Sequence, residues 1–370
     1  MKFTCQKKDI VQAIQIAMKA VAPKPQTPIL GGIYIKAEDN SLTLQATDNE
    51  LSIICNIAAK VDDPGNIILI GRNAQEVIRR LPGETIEFDC SSQEKMIHIK
   101  AGRAKFSFLS MEADDFPIIS KLQGNSSFQV SDVVLRDLIL NTSFAAMQEE
   151  SRPIFTGCLL ELSDEKILMA ATNTHRLSIK SSHLEDFHGD ARYVIPAKML
   201  SEVQKILQSE MPRTVTVSCT HNQVSFEVEG VYISSRLIEG SFPDYQRAVP
   251  HEFQRHVVMN TSEIKNIIDR IALISRGDDY NVITMDFANS MVRISSANPE
   301  IGNGEEYASA VIDGDDLTIC FNADYINDGL KLIKSEKFML SMNGHLNAAT
   351  MTSEEEPDFV YVITPVRRQK

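Results

Sequence analysis

Lysine and arginine recur along one stripe of several segments with helical periodicity. Lys8 shares its stripe with Gln12, Gln15 and Lys19; a second segment carries Arg72, Arg79 and Arg80, and a fourth Lys198 and Lys205. A fifth carries Lys265 and Arg270, a sixth Lys331 and Lys334. Where the apolar stripe of such a helix is buried against a sheet, the opposite stripe is free, and cations there suit phosphate groups. Acids gather in strands, turns and tails instead: Glu112 with Asp114 and Asp115, Asp278 with Asp279, Asp313 to Asp316, Glu354 to Glu356. On any one helix these cations read as solvated surface; across the set they favour one basic surface on an acidic protein. The chain bears 37 basic against 50 acidic side chains, a net charge of −13, which taken alone argues against nucleic acid.

Catalytic patterns are missing. There is no G-x-x-x-x-G-K-[ST], no H-E-x-x-H and no G-x-S-x-G, so neither a phosphate loop, a zinc protease helix nor a nucleophile elbow is expected. Gly302-Asn303-Gly304 reads as a turn, and His183 and His188 as loop residues at a spacing that suits no helical metal pair. Asp313 to Asp316 lacks the glycine and glutamate spacing of a calcium loop. No catalytic residue, metal or cofactor is expected. The six cysteines are scattered, without a C-x-x-C, and sit in apolar runs such as Thr318-Ile319-Cys320-Phe321. They read as small core residues kept reduced.

The elements that would carry these residues repeat three times. Ala46-Thr47-Asp48-Asn49-Glu50-Leu51-Ser52-Ile53 matches Ala171-Thr172-Asn173-Thr174-His175-Arg176-Leu177-Ser178-Ile179, and Ser296-Ala297-Asn298-Pro299-Glu300 follows. Thr47, Thr172 and Ala297 are spaced 125 positions apart. Ile70, Ile195 and Phe321 open helical patterns at nearly the same spacing, and Asp115-Phe116-Pro117 answers Ser241-Phe242-Pro243. Such a period marks repeated structural units, here three domains over 1–121, 127–248 and 250–370. Each unit holds two helices. The candidates are Lys8–Val21, Val133–Ser143 and Ser262–Ile274 in the first halves, and Asn73–Leu81, Lys198–Gln208 and Asp324–Lys334 in the second. Ile264, Ile267, Ile268 and Ile271 have amphipathic spacing behind a Thr261-Ser262-Glu263 start. Alternating runs such as Thr85-Ile86-Glu87-Phe88-Asp89-Cys90, punctuated by Asp39-Asn40, Asp313-Gly314 and Asn343-Gly344, predict one-sided antiparallel strands. The fold class is α+β.

Hydrophobic residues make up 43% and charged ones 24% of the chain, an ordinary globular composition. No run reaches the roughly 18 apolar residues of a membrane helix, and no apolar region follows the first charges as in a signal peptide. A cytoplasmic location without membrane contact is expected.

The motifs together resemble the bacterial DNA polymerase III beta clamp family. The resemblance rests on Met1-Lys2-Phe3-Thr4, Thr27-Pro28-Ile29-Leu30-Gly31, Ala171 to Leu177, Gly240-Ser241-Phe242-Pro243-Asp244-Tyr245, Asn298-Pro299-Glu300, Phe321 to Tyr325 and Tyr361 to Arg367. It implies a head-to-tail homodimeric ring of six domains, helices inside and sheets outside, around duplex DNA. A topological grip needs few phosphate contacts, and strong ones would brake sliding through counterion release, so an acidic body with weak basic helices is compatible with that role. The resemblance implies DNA-facing roles for Lys24, Arg72, Arg103, Gln148, Arg152 and Lys198. It implies a pocket for linear motifs of the polymerase III catalytic subunit, clamp loader, other polymerases and repair proteins at Thr172, Thr174, His175, Arg176, Leu177, Pro243, Arg247, Ala248, Val362 and Thr364. From the residues alone, Leu177 and Val362 read as core and His175-Arg176 as surface. The implied dimer seam sets Phe106 and Phe108 against Leu273 and Ile274, although Phe106 and Phe108 also suit a core. Departures from the family pattern are Asn173-Thr174 for the commoner Asp-Gly, Thr364 for methionine, Pro153 for an aromatic, and a basic tail, Arg368-Gln369-Lys370. Two other readings stay open: an enzyme with a site spread over loops, and a scaffold that binds only protein.

Overall fold

Alternation decides which segments become strands. Val282–Ala288, and Ser41–Thr47 up to Ala46, bury every second side chain and leave the others half-buried, as a pleat with one wetter face requires. The computed structural model describes residues 1–22, 24–70, 72–91, 95–123, 126–149, 151–185, 187–207, 211–276 and 281–367, the side chains of Arg72 and Ser91 excepted. Asp278-Asp279 and the Arg368–Lys370 tail therefore lie outside the described residues. The strands among these residues form three antiparallel sheets of 13, 9 and 4 strands. The chain divides into two compact units, Met1–Val133 with Met199–Leu237, and Val134–Lys198 with Ile238–Lys370.

The first unit holds the 13-stranded sheet. Its order runs from Ser126–Ser131 through Thr214–Cys219, Gln223–Val228 and Val231–Arg236 to Leu51–Ala58. It continues through Ser41–Thr47, Gly32–Glu38, Gly65–Ile70, Ala104–Met111, Met96–Ala101, Thr85–Ser91 and Lys2–Gln6 to Lys60–Asp63. Helix α1 (Lys7–Ala17) buries Ile10, Ala13, Ile14 and Ala17 and lies against Leu51–Ala58 and Ser41–Thr47. It tightens into a 3-10 turn over Met18–Ala20, so the expected helix to Val21 changes geometry in its last turn. Helix α2 spans Arg72–Arg80. Strand Ala104–Met111 pairs along its length with Met96–Ala101 but meets Gly65–Ile70 only at Ser110 and Met111. Its stretch 104–109 thus keeps one unpaired edge.

Helices α3 (Asp132–Thr142) and α4 (Ala197–Ile206) come next in the chain, followed by α5 (Thr261–Ser275) and α6 (Ala323–Leu330) in the second unit. The side chain that caps α5 is Asn260, which accepts a hydrogen bond from Glu263 N, not the expected Thr261 or Ser262; Ser262 Oγ donates to that same oxygen at 2.8 Å. Asn322 caps α6 in the same way through Tyr325 N. Helix α6 stops short of the expected Lys334, because Leu332 N turns back to the Gly329 carbonyl at 3.1 Å, a terminal tightening that satisfies an orphan carbonyl. The nine-stranded sheet places Asp190–Pro196, Gly157–Ser163, Lys166–Thr172 and Arg176–His183 beside Phe359–Ile363, and ends at Val311–Asp313. The four-stranded sheet has Gly302–Ser309 at one edge. Gly302-Asn303-Gly304 is therefore strand and not the expected turn. A Cβ on Gly304 would stand 3.4 Å from Ile271 Cδ1, an ordinary contact distance, so α5 covers this strand without requiring glycine there. His183, expected in a loop, ends a strand.

The repeat survives at the level of single dihedrals. Asn40, Glu165 and Ser290, again 125 positions apart, occupy hairpin turns with φ of 57°, 60° and 57°.

Candidate functional site

The turn joining Lys166–Thr172 to Arg176–His183 is built by its own side chains. Thr172 Oγ1 donates to the Arg176 carbonyl at 2.6 Å and accepts from Thr174 N at 3.1 Å. Asn173 Oδ1 accepts from His175 N at 3.1 Å and Arg176 N at 3.0 Å. The turn between Ser41–Thr47 and Leu51–Ala58 repeats every one of these bonds. Thr47 Oγ1 bridges the Leu51 carbonyl and Asn49 N at 3.0 Å each, and Asp48 Oδ1 accepts from Glu50 N and Leu51 N at 3.0 and 2.8 Å. The third residue is left-handed in both, φ 76° at Asn49 and 77° at Thr174. Asparagine tolerates that region, whereas a β-branched residue there is strained.

Behind this turn lies an apolar floor. Leu159, Leu168, Ala170, Leu177, Ile179, Tyr245 and Val362 form one cluster, with Phe242, Val249, Ala348 and Val360 packed on it half-buried. Leu177 and Val362 are register partners in adjacent strands and are buried, so they serve as both core and floor. The 3-10 turn Tyr245–Ala248 seats Tyr245 on the cluster, where its hydroxyl donates to Glu161 Oε2 at 3.4 Å. Burial, and then the Glu161 charge, push that phenol up. Pro243, Arg247 and Ala248 are exposed beside it, and Arg247 pairs with Asp244 at 2.9 Å. Thr364 closes the strand end: its N–H and its hydroxyl both donate to the His175 carbonyl, at 2.9 and 3.0 Å.

Arg176 corrects the surface reading. Its side chain is only 10% exposed; it donates to Asp328 Oδ2 at 2.6 Å and to the Phe144 carbonyl at 2.7 Å. The guanidinium lies over the Tyr325 ring at 4.6 Å and the Phe144 ring at 5.2 Å, where a planar cation gains from both aromatic faces. His175, by contrast, is exposed as expected and stacks beside Tyr325 with centroids 6.5 Å apart. Asn173 Nδ2 donates to Tyr325 Oη at 3.3 Å. Tyr325, Asp328, Phe144 and the floor residues around Leu159 and Leu168 are not candidates on sequence grounds, whereas Asn173 is, as a departure from the family pattern. Tyr325 stands in the Phe321–Tyr325 motif, which was the one available signal.

The other implied residues are distributed over both units. Lys24 and Arg103 are exposed in the first unit; Gln148, Arg152 and Lys198 are exposed in the second. Arg72 opens α2, and its side chain lies outside the described residues. Pro153 opens the 3-10 turn Pro153–Thr156. Lys24, Arg103, Arg152 and Lys198 form no ion pair with another described residue. Several other helix-face cations are partnered by acids, which partly neutralises the basic surface read from their spacing. Lys19 and Lys205 share Glu202 at 2.5 and 2.6 Å, Arg79 and Arg80 share Glu76, and Arg270 meets Glu306 at 2.6 Å. Lys331 pairs with Asp328 and Lys334 with Asp137. The acids beside Arg79, Arg80, Lys205 and Lys331 stand one turn away in sequence, whereas those that meet Lys19, Arg270 and Lys334 come from distant segments that helix spacing does not reveal. At the implied seam, Phe106 is 42% and Leu273 51% exposed, while Phe108 and Ile274 are half-buried.

The described residues hold no cluster of His, Cys, Asp and Glu fit for a metal. All six cysteines are free and buried. Burial pushes the thiols of Cys5, Cys55, Cys90, Cys158 and Cys219 up to about 12, which removes the thiolate that redox or metal chemistry needs. No helix among the described residues is long and apolar enough to cross a membrane.

Comparison with known proteins agrees along the whole chain. Residues 1–120, 129–244 and 246–367 match the models of the N-terminal, central and C-terminal domains of the DNA polymerase III beta subunit. The chain is 32% identical over 379 residues to the beta sliding clamp of Bacillus subtilis, covering 99% of this chain and 100% of that one. It is 30% identical to that of Staphylococcus epidermidis, covering 99% of each. A crystal structure of the Bacillus subtilis sliding clamp superposes with a TM-score of 0.94 at 30% identity, and the Pseudomonas aeruginosa beta subunit with 0.93 at 26%, both over 100% of each chain. With three consecutive domain models and full-length relatives in agreement, the chain belongs to the DNA polymerase III beta subunit family, the beta sliding clamps.

Proposed function

We propose that two copies of this chain close head to tail around duplex DNA and tether the replicative polymerase through the floor beside Arg176. Beta sliding clamps are non-catalytic processivity factors of DNA polymerase III, and this chain acts as one, in the cytoplasm. Its three domains follow the repeat, over 1–121, 127–248 and 250–370. Lys24, Arg72, Arg103, Gln148, Arg152 and Lys198 face the duplex, and the motifs of polymerase, loader and repair proteins dock at Thr172, Thr174, His175, Arg176, Leu177, Pro243, Arg247, Ala248, Val362 and Thr364.

The observation that carries the closed ring is a pair of strand edges, rich in exposed apolar side chains, that have no partner strand among the described residues. Residues 104–109 include Lys105 beside the exposed Phe106 and Leu109, and Leu109 is 70% exposed. Gly302–Ser309 includes a 54% exposed Tyr307 beside Glu305 and Glu306, which pair with Arg293 and Arg270. Edges of this kind invite another strand, and in a two-fold assembly the pairing occurs twice and closes. Phe106 and Phe108 then meet Leu273 and Ile274 of the other copy.

The test is topological. The protein is loaded on nicked circular DNA with its loader, and the circle is then linearised. The expected result is retention on circles and loss from the ends of linear DNA; equal retention on both overturns the reading. Deleting residues 364–370 is expected to abolish peptide binding and leave the dimer intact, and loss of the dimer would mean that this segment is structural.

A further inference from the structure

At the second position of this turn Asn173 has an amide nitrogen where Asp48 of the twin has a carboxylate oxygen, and that nitrogen faces Tyr325. Asn173 Oδ1 is committed to His175 N and Arg176 N, as Asp48 Oδ1 is to Glu50 N and Leu51 N. The amide orientation is therefore fixed, and the group left to meet Tyr325 Oη at 3.3 Å is the Nδ2 donor. An amide nitrogen only donates, so the phenol oxygen accepts and its own hydrogen has no partner among the described residues. The ring cannot turn away easily. It contacts His175 and the Arg176 guanidinium, its backbone N–H donates to Asn322 Oδ1, and its carbonyl accepts from Tyr361 Oη at 2.8 Å.

We propose that Asn173 makes the half-buried Tyr325 a hydrogen-bond donor to the docked peptide, selecting an accepting oxygen next to the apolar anchors. With aspartate at 173 the second carboxylate oxygen would take the phenol hydrogen, and the ligand would find an acceptor where this chain offers a donor. Asn173 is thus a positioning residue that sets the polarity of the rim, and Tyr325 is the group that touches the ligand. The inference rests on the docking reading above and adds a chemical requirement to it.

The experiment measures fluorescence polarisation of two capped synthetic peptides with adjacent Leu and Phe anchors, one with Glu beside the pair and one with Ala. Full-length wild type, Tyr325→Phe, Asn173→Asp and the double variant are compared, with circular dichroism confirming that each is folded. Tyr325→Phe keeps the ring over Arg176, and Asn173→Asp keeps the turn as Asp48 does. Each single variant is expected to weaken binding by roughly 3- to 10-fold, the span of one neutral hydrogen bond, and the double variant by no more than either. Loss confined to the Glu peptide supports a side-chain acceptor; equal loss with both supports a backbone carbonyl. Unchanged affinity in Tyr325→Phe overturns the proposal, as does a double variant whose loss is the product of the singles, because the introduced carboxylate would then act through its charge alone. If wild type bound neither peptide, the docking reading would fall and this proposal with it.

Discussion

Removing the acid that holds Arg176 is expected to hurt more than removing Arg176 itself. Asp328 and Arg176 meet at 2.6 Å with the guanidinium side chain only 10% exposed. Stripping one partner from a buried pair costs about 3–5 kcal/mol, because the other charge stays desolvated. Asp328 is itself 30% exposed and also binds Lys331 at 3.0 Å, so water reaches the pair and the expected cost of Asp328→Asn falls to about 2 kcal/mol. Arg176→Met removes the buried charge together with its demands and leaves apolar atoms between Phe144 and Tyr325. It loses the stacking and one bond to the Phe144 carbonyl, about 1 kcal/mol. The double variant should match Arg176→Met, because Asp328 no longer has a buried cation to neutralise. The assay is urea unfolding followed by far-ultraviolet circular dichroism, since the chain contains 0 tryptophans. If Asp328→Asn costs no more than Arg176→Met, or the double variant costs the sum, the desolvation argument fails.

Further outcomes follow from other sites. Thr174→Asn should raise stability by about 1 kcal/mol by placing a tolerant residue at φ 77°; a lower urea midpoint would show that the threonine is not strained. Asp132 is nearly buried, and burial works to raise its carboxyl, but hydrogen bonds from Arg213 and Val133 and the Arg213 charge hold it below the usual range. Stability from such a lowered group is present above about pH 4, its unfolded value, and is lost as pH falls through the native value. The deficit of Asp132→Asn, about 3 kcal/mol at pH 7, should therefore shrink below pH 4, and a gap of constant size would trace to packing instead. Thiol reagents should leave the native cysteines unmodified and label all six only on unfolding; prompt labelling would contradict their burial.

The amino-acid order determined the modular plan by itself. Hydrophobic periodicity and the 125-residue echoes from Thr47 to Thr172 to Ala297 depend on local spacing, which survives in one dimension. The six helices, the alternating strands and the hairpin at Asp39-Asn40 were legible for that reason, as was the lack of catalytic motifs. Gly302 to Gly304 differs from the expected turn because a glycine in a strand and a glycine in a turn look alike until the pairing with Ser296 to Asn298 is known. The site was only half legible. Thr172, Arg176 and Leu177 share a turn and strand, but Tyr325 and Asp328, each 152 positions from its partner, join them only in the fold. The same holds for the charges. Sequence showed rows of lysine and arginine, and the acids one turn before Lys205 and Lys331, while the tertiary structure decided that Lys19, Arg270 and Lys334 are matched by carboxylates from distant segments. Composition records how many charges a chain carries, but the ion pairs and buried contacts that set what each one does form only when strands and helices from distant segments pack together.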